Sequence, residues 1–371
     1  MSAPVAPASM KALVLVKTDG DFKPGPHLWH PVEITDVPVP TPKDGEVLVK
    51  VLSAGFNHRD VFQRQSLYPG TIFHSPPSPS ILGADCVGLV LSPPSHPLYQ
   101  QRVLVSPVVG WRASPLGPDV PGEPFGILGS VKQTQGRGTF AEFVKVGEDD
   151  VVKCPEHLSR EQAAALPLGG LTAYRAVFTK AGVKKGDNVL ITGIGGGVAI
   201  LALQFAAAAG ANVWVSSSSE EKIKRAVSLG AKGGVNYKDD SWPKQLASLL
   251  PPSRPFLDAV VDSGGGPLGN QLARLLKDGA IISCYGQTSG KPIEVGMAMV
   301  LKNAELRGST MGSREEFKRA VEFVKEHRVE VVVDTVLEGM DKAEDGFQLL
   351  KKGGQFGKVV LTIAKDEQPK L

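Results

Sequence analysis

Cysteine is scarce in this chain. Its three thiols, Cys86, Cys154 and Cys284, are scattered through 371 residues and form no CxxC pair. An odd, widely spaced set with no secretory segment argues against a disulfide framework and predicts a reducing, cytoplasmic setting. Aromatic residues make up only 6%, and no sign of charge dominates, since Lys+Arg 41 against Asp+Glu 38 leaves a formal +3. Neither nucleic acid nor an anionic membrane is therefore expected as a main partner. The N-terminal MSAPVAPASMK lacks the continuous apolar core of a signal peptide and reads as a tail over residues 1–9. Charge is missing altogether from Asn188 to Ser219, a run long enough to cross a bilayer. The glycine cluster at 193–197 and Gly210-Ala211 divide that run into strand, helix and strand, so no membrane span is expected.

Apolar residues are plentiful at 42%, and the length predicts two domains, each with a sizeable core. The first 150 residues read as β-rich. Strands are expected at Lys11–Lys17, Glu46–Ala54, Cys86–Leu91, Arg102–Val105 and Phe140–Val146. Proline-rich connections separate them, notably 75–80, 92–97 and the long stretch 106–137. From Arg160 onward strands alternate with helices. Strands at 188–192, 213–217, 257–261 and 280–284 interleave with helices at 197–209, 219–229, 241–250 and 267–277. That alternation predicts a parallel sheet covered on both faces. A helix over 313–327, a strand-like 329–336, a helix near 341–351 and a strand at 356–363 close the chain. The simplest division is a β-rich domain, a doubly wound domain inserted after it, and a C-terminal return to the first.

The sharpest local signal is residues 188–222, NVLITGIGGGVAILALQFAAAAGANVWVSSSSEEK. A buried strand runs into glycines, an alanine-rich helix follows, and a second strand arrives about 20 residues later, the order of a dinucleotide-binding unit. Glycines let the backbone approach a pyrophosphate, and the helix N-terminus offers free N–H groups and a favourable dipole. A strict GxGxxG is absent: Gly193 and Gly195 fit the first two glycines, but Val198 holds the sixth position. Gly196, Gly197 and Val198 complete the expected cradle. At the end of the second strand an NAD site places a carboxylate on the ribose 2′-OH. This chain has Ser216, Ser217, Ser218 and Ser219 there, with Lys222 and Arg225 just beyond. Hydroxyls and a nearby cation suit a 2′-phosphate, which predicts NADPH. Ser219 also fits as the cap of the next helix.

Taken together, MKALVL (10–15), GEVLVKVLSAGFNHRDVFQRQSLYPG (45–70), ILGADCVGLV (81–90), GTFAEFVKV (138–146), LPLGGLTAYRAV (166–177), the glycine loop, LRGSTMGSREEF (306–317) and FGKVVL (356–361) resemble the medium-chain dehydrogenase/reductase superfamily, within it the zinc-free quinone-reductase-like branch. The resemblance covers nearly the whole chain. It implies an α/β protein, usually dimeric, with a GroES-like β-rich catalytic domain over 10–160, a Rossmann doubly wound parallel-sheet domain over 161–310, and a return to the catalytic domain over 311–371.

Zinc-dependent members hold their catalytic metal with Cys, His and Cys. Here those positions match Asn57, Ala84 and Leu168, none a good zinc ligand, and the four-cysteine structural lobe is missing. No metal is therefore expected; the spacing does not forbid a substitute set of His58, Asp60 and Asp85, but these are expected as solvated or ion-paired side chains.

Without a Lewis acid, the expected reaction is hydride transfer from NADPH to a small-molecule quinone or α,β-unsaturated carbonyl. The resemblance puts Asn57 near the nicotinamide, where with Asp60 it would shape the polar end of the substrate site. Tyr68 is a candidate proton donor or a stacking wall. Further cofactor contacts implied by resemblance are Thr172, Tyr237, Ser263, Gly286 and the returning Phe356, Gly357 and Lys358. Two alternatives stay open: a zinc-type alcohol dehydrogenase with an atypical metal site, and an NADPH-binding protein without catalysis.

Overall fold

The aliphatic runs of the first half fold as strands in a computed structural model, which describes residues 7–120 and 125–364. Most of the expected N-terminal tail lies outside the described residues. The strands are β1 (Ser9–Leu15), β2 (Val32–Pro38), β3 (Glu46–Gly55), β4 (Asp85–Ser92), β5 (Arg102–Val105), β6 (Val108–Val109), β7 (Gly126–Ile127), β8 (Phe143–Gly147) and β9 (Val151–Lys153). β2 was not legible in the sequence. It pairs antiparallel with β1 and carries exposed Glu33 on one face and exposed Asp36, the partner of Lys11, on the other, so it never shows an apolar run.

The chain divides into two compact units, one of Met1–Leu168 with Ser313–Leu371, the other of Gly169–Gly312. The second holds β10 (Asn188–Ile191), β11 (Asn212–Ser217), β12 (Gly233–Asn236), β13 (Leu257–Asp262), β14 (Leu276–Cys284) and β15 (Glu305–Gly308). They form a six-stranded parallel sheet in the order β12-β11-β10-β13-β14-β15, the doubly wound arrangement in which ligands meet the carboxyl ends of the strands. The charge-free run is β10, the helix Gly197–Ala208 and β11. Among the described residues no helix is long and apolar enough to cross a membrane. Trp214, Trp242, Leu246, Leu257, Leu272 and Ile282 belong to a buried cluster of this unit.

The expected helix over 267–277 stops at Leu272, and β14 already begins at Leu276. Pairing with β13 outweighs the helical propensity of LLK. β12 and β15, at the sheet's two edges, were also missed, because strands of four residues with glycines or charges carry no clear period.

Ser313 onward returns to the first unit through β16 (Val333–Glu338) and β17 (Lys358–Thr362). The strand expected at 329–336 is thus shifted toward the C-terminus, to the register β17 imposes. The central order is β16-β17-β3-β4-β5-β9, with β8 also on β3. β3 runs antiparallel to both β17 and β4. Phe56, Phe140 and Phe347 meet in one aromatic cluster, with ring centroids 4.7 to 6.2 Å apart. The helix bearing Phe347 needs a glycine at 346, since a Cβ there would stand 2.5 Å from the Phe56 ring.

Candidate active site

Strand direction builds the polar centre of the first unit. Because β3 is antiparallel to both neighbours, its carboxyl end lies beside the starts of β4 and β17. Asn57 follows the end of β3, Asp85 opens β4 and Lys358 opens β17. The three side chains meet. Lys358 Nζ donates to Asn57 Oδ1 at 2.6 Å, to Asp85 Oδ2 at 2.8 Å and to the Phe56 carbonyl at 2.8 Å. Asn57 Nδ2 donates to Asp85 Oδ2 at 3.0 Å, and the Leu168 N–H donates to Asp85 Oδ1 at 2.6 Å. Asp85 is fully buried, and Lys358 and Asn57 are 6% and 8% exposed. A buried ion pair of this kind is sustained by its additional hydrogen bonds.

Asn57 also opens the helix His58–Arg64, and its N–H is accepted by Asp60 Oδ2 at 2.9 Å. Asp60 is completely buried behind Asn57. Burial raises its carboxyl to about 6 and the Asp85 charge adds to that, while Arg59, the Asn57 N–H and Lys358 oppose it. Arg59 grips the next loop, donating to the carbonyls of Leu128 at 2.6 Å and Gly129 at 3.0 Å. Its guanidinium lies 4.6 Å from the centre of the Tyr68 ring. Tyr68 is therefore a half-buried ring stacked on a fixed cation. Sequence reasoning missed Arg59, although it stands beside His58 and Asp60 in the same motif.

Can this centre hold zinc? The positions matching the metal ligands carry an amide, a methyl group and an isobutyl group, whereas zinc takes thiolate, imidazole or carboxylate. Asp85 is the nearby carboxylate, and both its oxygens are already bonded. Among the described residues, no three His, Cys, Asp or Glu side chains come together as a metal site, so His58, Asp60 and Asp85 do not form one. The donor set does not fit the metal. The three cysteines are buried thiols in no disulfide, and burial pushes the Cys284 thiol up to about 12.

A pyridine nucleotide does fit the second unit. Gly193 and Gly195 have φ of +65° and +132°, conformations that favour glycine. They turn the chain from β10 into the helix Gly197–Ala208, whose N-cap is Gly196. A Cβ on Gly195 would stand 2.9 Å from Lys222 Cδ and 3.1 Å from its Nζ, so the lysine lies across the glycine turn. Ser217 Oγ donates to the Ile194 carbonyl at 3.3 Å and accepts from the Ser219 N–H at 3.3 Å. Ser218 is exposed beside it. Ser219 Oγ caps the next helix by accepting from the Lys222 N–H, as expected. Tyr237 is 48% exposed, and its N–H donates to the Ser217 carbonyl at 3.0 Å.

Ser263 and Gly286 lie just past the ends of β13 and β14: a Cβ on Gly193 would lie 3.3 Å from Ser263 Oγ, and one on Gly286 3.4 Å from the Ser263 carbonyl. Gly193, Gly195, Gly196, Gly197, Val198, Ser217, Ser218, Lys222, Tyr237, Ser263 and Gly286 thus gather at the carboxyl ends of the parallel strands. Thr172 lies on the helix Pro167–Tyr174, which approaches the nucleotide helix where Gly169 faces Leu201. Its hydroxyl is turned to Met311 Sδ at 3.7 Å. Phe356, Gly357 and Lys358 belong to the other unit. Phe356 is buried, and Gly357 has φ +126°, with Val332 too close to admit a Cβ.

Comparison with known proteins follows the same lines. Residues 43–156 match the alcohol dehydrogenase GroES-like domain, and residues 197–326 the zinc-binding dehydrogenase model. The zinc-type alcohol dehydrogenase-like protein YogA of Leptosphaeria maculans is 43% identical over 91% of this chain and 96% of its own. An acryloyl-coenzyme A reductase of Metallosphaera sedula is 29% identical over 89% of this chain and 96% of its own. A solved NAD-dependent alcohol dehydrogenase superposes with a TM-score of 0.82 at 32% identity, covering 96% of this chain and 100% of that one. With the two-unit fold, the nucleotide cradle and a relative this similar over nearly its whole length, the chain belongs to the medium-chain dehydrogenase/reductase superfamily.

Proposed function

We propose that this protein is an NADPH-dependent reductase that transfers hydride to a quinone or an α,β-unsaturated carbonyl without a metal ion. That it is an oxidoreductase of its superfamily, using a pyridine nucleotide, is the coarser statement underneath. The finer reading is carried by one observation, the bonded set of Asn57, Lys358 and Asp85. Zinc-type alcohol oxidation draws on a Lewis acid at the substrate oxygen. This chain has at that point an amide, an ammonium and a carboxylate. Such a set can donate a hydrogen bond to an oxygen that is already a carbonyl, which is all that an electrophilic acceptor requires.

When bound, the nicotinamide supplies the hydride. The glycine turn and the helix N-terminus would hold the pyrophosphate. Ser218 and Lys222 would take the 2′-phosphate, Ser217 would shape the turn beneath them with its hydroxyl held by the Ile194 carbonyl, and no carboxylate stands at the end of β11 to repel the charge. An Asn57 N–H meets the acceptor oxygen and stabilises the charge that grows there. Tyr68 or water would supply the one proton that the reduced acceptor takes up. The name of the Metallosphaera relative supports this reading, because acryloyl-coenzyme A is itself an α,β-unsaturated carbonyl.

The test is steady-state NADPH oxidation with a panel of quinones and enones, with and without chelator. Turnover unaffected by chelator is expected. Stoichiometric zinc in the purified protein, with activity lost on its removal, would refute the metal-free reading. Tight NADPH binding with no turnover on any acceptor would refute the reductase.

A further inference from the structure

We propose that Lys358 is a positioning residue whose ammonium fixes the Asn57 amide with its oxygen turned inward, so that an N–H is what Asn57 offers an acceptor. The inference deepens the reductase reading and rests on it for the nature of that acceptor, a carbonyl oxygen.

Hydrogen counting carries the argument. An ammonium has three N–H donors and no acceptor. Lys358 meets three acceptors, Asn57 Oδ1, Asp85 Oδ2 and the Phe56 carbonyl, at 2.6 to 2.8 Å. It is saturated and keeps no N–H for a substrate. Because it can only donate, the carbonyl end of the amide is the only end that can face it. The orientation of Asn57 is thus decided by chemistry.

The amide nitrogen is then left with Asp85 Oδ2 at 3.0 Å and the Gly55 carbonyl at 3.5 Å. The first distance is a full hydrogen bond and the second is at the outer limit of one. One N–H of Asn57 is therefore weakly held and open to a better acceptor. Asp85 completes the arrangement, since its other oxygen is tied to the Leu168 N–H at 2.6 Å and cannot swing away. With the charge on Lys358 removed, Asp85 Oδ2 would be the one group still holding the amide in this orientation, and the amide oxygen would lose its donor.

The experiment compares wild type, Lys358→Met, Asn57→Ala and the double variant. Each is measured for kcat, KM and NADPH affinity, with the Asn57 side-chain amide followed by NMR and assigned by its loss in Asn57→Asp. Lys358→Met is expected to lower kcat by about 100-fold, the usual cost of losing one aligned donor, with NADPH affinity unchanged. Adding it to Asn57→Ala should cost nothing more, because the lysine acts through the amide. Unchanged kcat, or losses that multiply, would overturn the proposal.

If Lys358→Met fails to fold, Lys358→Arg carries the test. It keeps the charge but cannot place three N–H groups of one nitrogen on three acceptors, and a smaller loss in kcat is expected. The amide resonances need no acceptor. They should move in Lys358→Met, and resonances that stay in place would refute the orienting role. A wild type that reduces no acceptor refutes the reductase reading instead, and the amide readout then decides the role of Lys358 by itself.

Discussion

Reversing the charge of Lys222 tests where the adenosine phosphate rests. The lysine is half-buried and reaches across the glycine turn, with its Nζ 3.1 Å from the position a Gly195 Cβ would take. Two unit charges 4 Å apart interact by about 1 kcal/mol in water and about 4 kcal/mol at a partly buried site. Lys222→Glu removes one attraction and adds one repulsion. Allowing for screening, we expect NADPH binding to weaken by about 3 kcal/mol, roughly 150-fold. NADH, which lacks the 2′-phosphate, should change by no more than about threefold. The fold should not suffer, since a glutamate three residues after the Ser219 cap would complete a capping box.

The assay is fluorescence titration of both nucleotides at two salt concentrations, because the NADPH difference should shrink as ionic strength rises. Equal losses for NADH and NADPH would refute the reasoning. They would mean that Lys222, lying on the glycine turn, serves the pyrophosphate common to both nucleotides.

Two further outcomes can be checked on the apoprotein. Gly195→Ala forces a side chain into φ +132° and within 2.9 Å of Lys222 Cδ, whereas a Cβ on Gly196 meets nothing within 4 Å; the first substitution should cost about 1–3 kcal/mol in thermal unfolding and the second almost nothing, and equal melting temperatures would contradict that. Asp60 has its carboxyl raised to about 6 by burial. A raised folded value means that the native state holds the proton more tightly, so this contribution to stability is complete below the unfolded value of 3.8 and is lost as pH climbs through about 6. Between pH 4 and pH 7 the loss should be roughly 2–3 kcal/mol, and Asp60→Asn should flatten that part of the denaturation-midpoint profile; a variant that follows the wild-type profile would show that Asp60 is not the group responsible.

Local chemistry made the nucleotide cradle legible. Strand, glycine turn, helix and serine-rich strand end are contiguous between Asn188 and Lys222, so chain order and backbone permissiveness specify them without distant partners. The same holds for the buried strand β3 and the serine cap of the helix Glu220–Ser228. Short edge strands such as β2, β12 and β15 escaped, because their identity comes from a neighbour's hydrogen bonds rather than from their own residues. The centre at Asn57 was beyond the sequence for a stronger reason. Lys358 follows Asn57 by 301 positions and Asp85 by 273, and nothing in those residues announces that they pair. Antiparallel pairing of β3 with both β4 and β17 brings the end of one strand to the starts of two others, and burial there leaves the ammonium no solvent to prefer over the amide and the carboxylate.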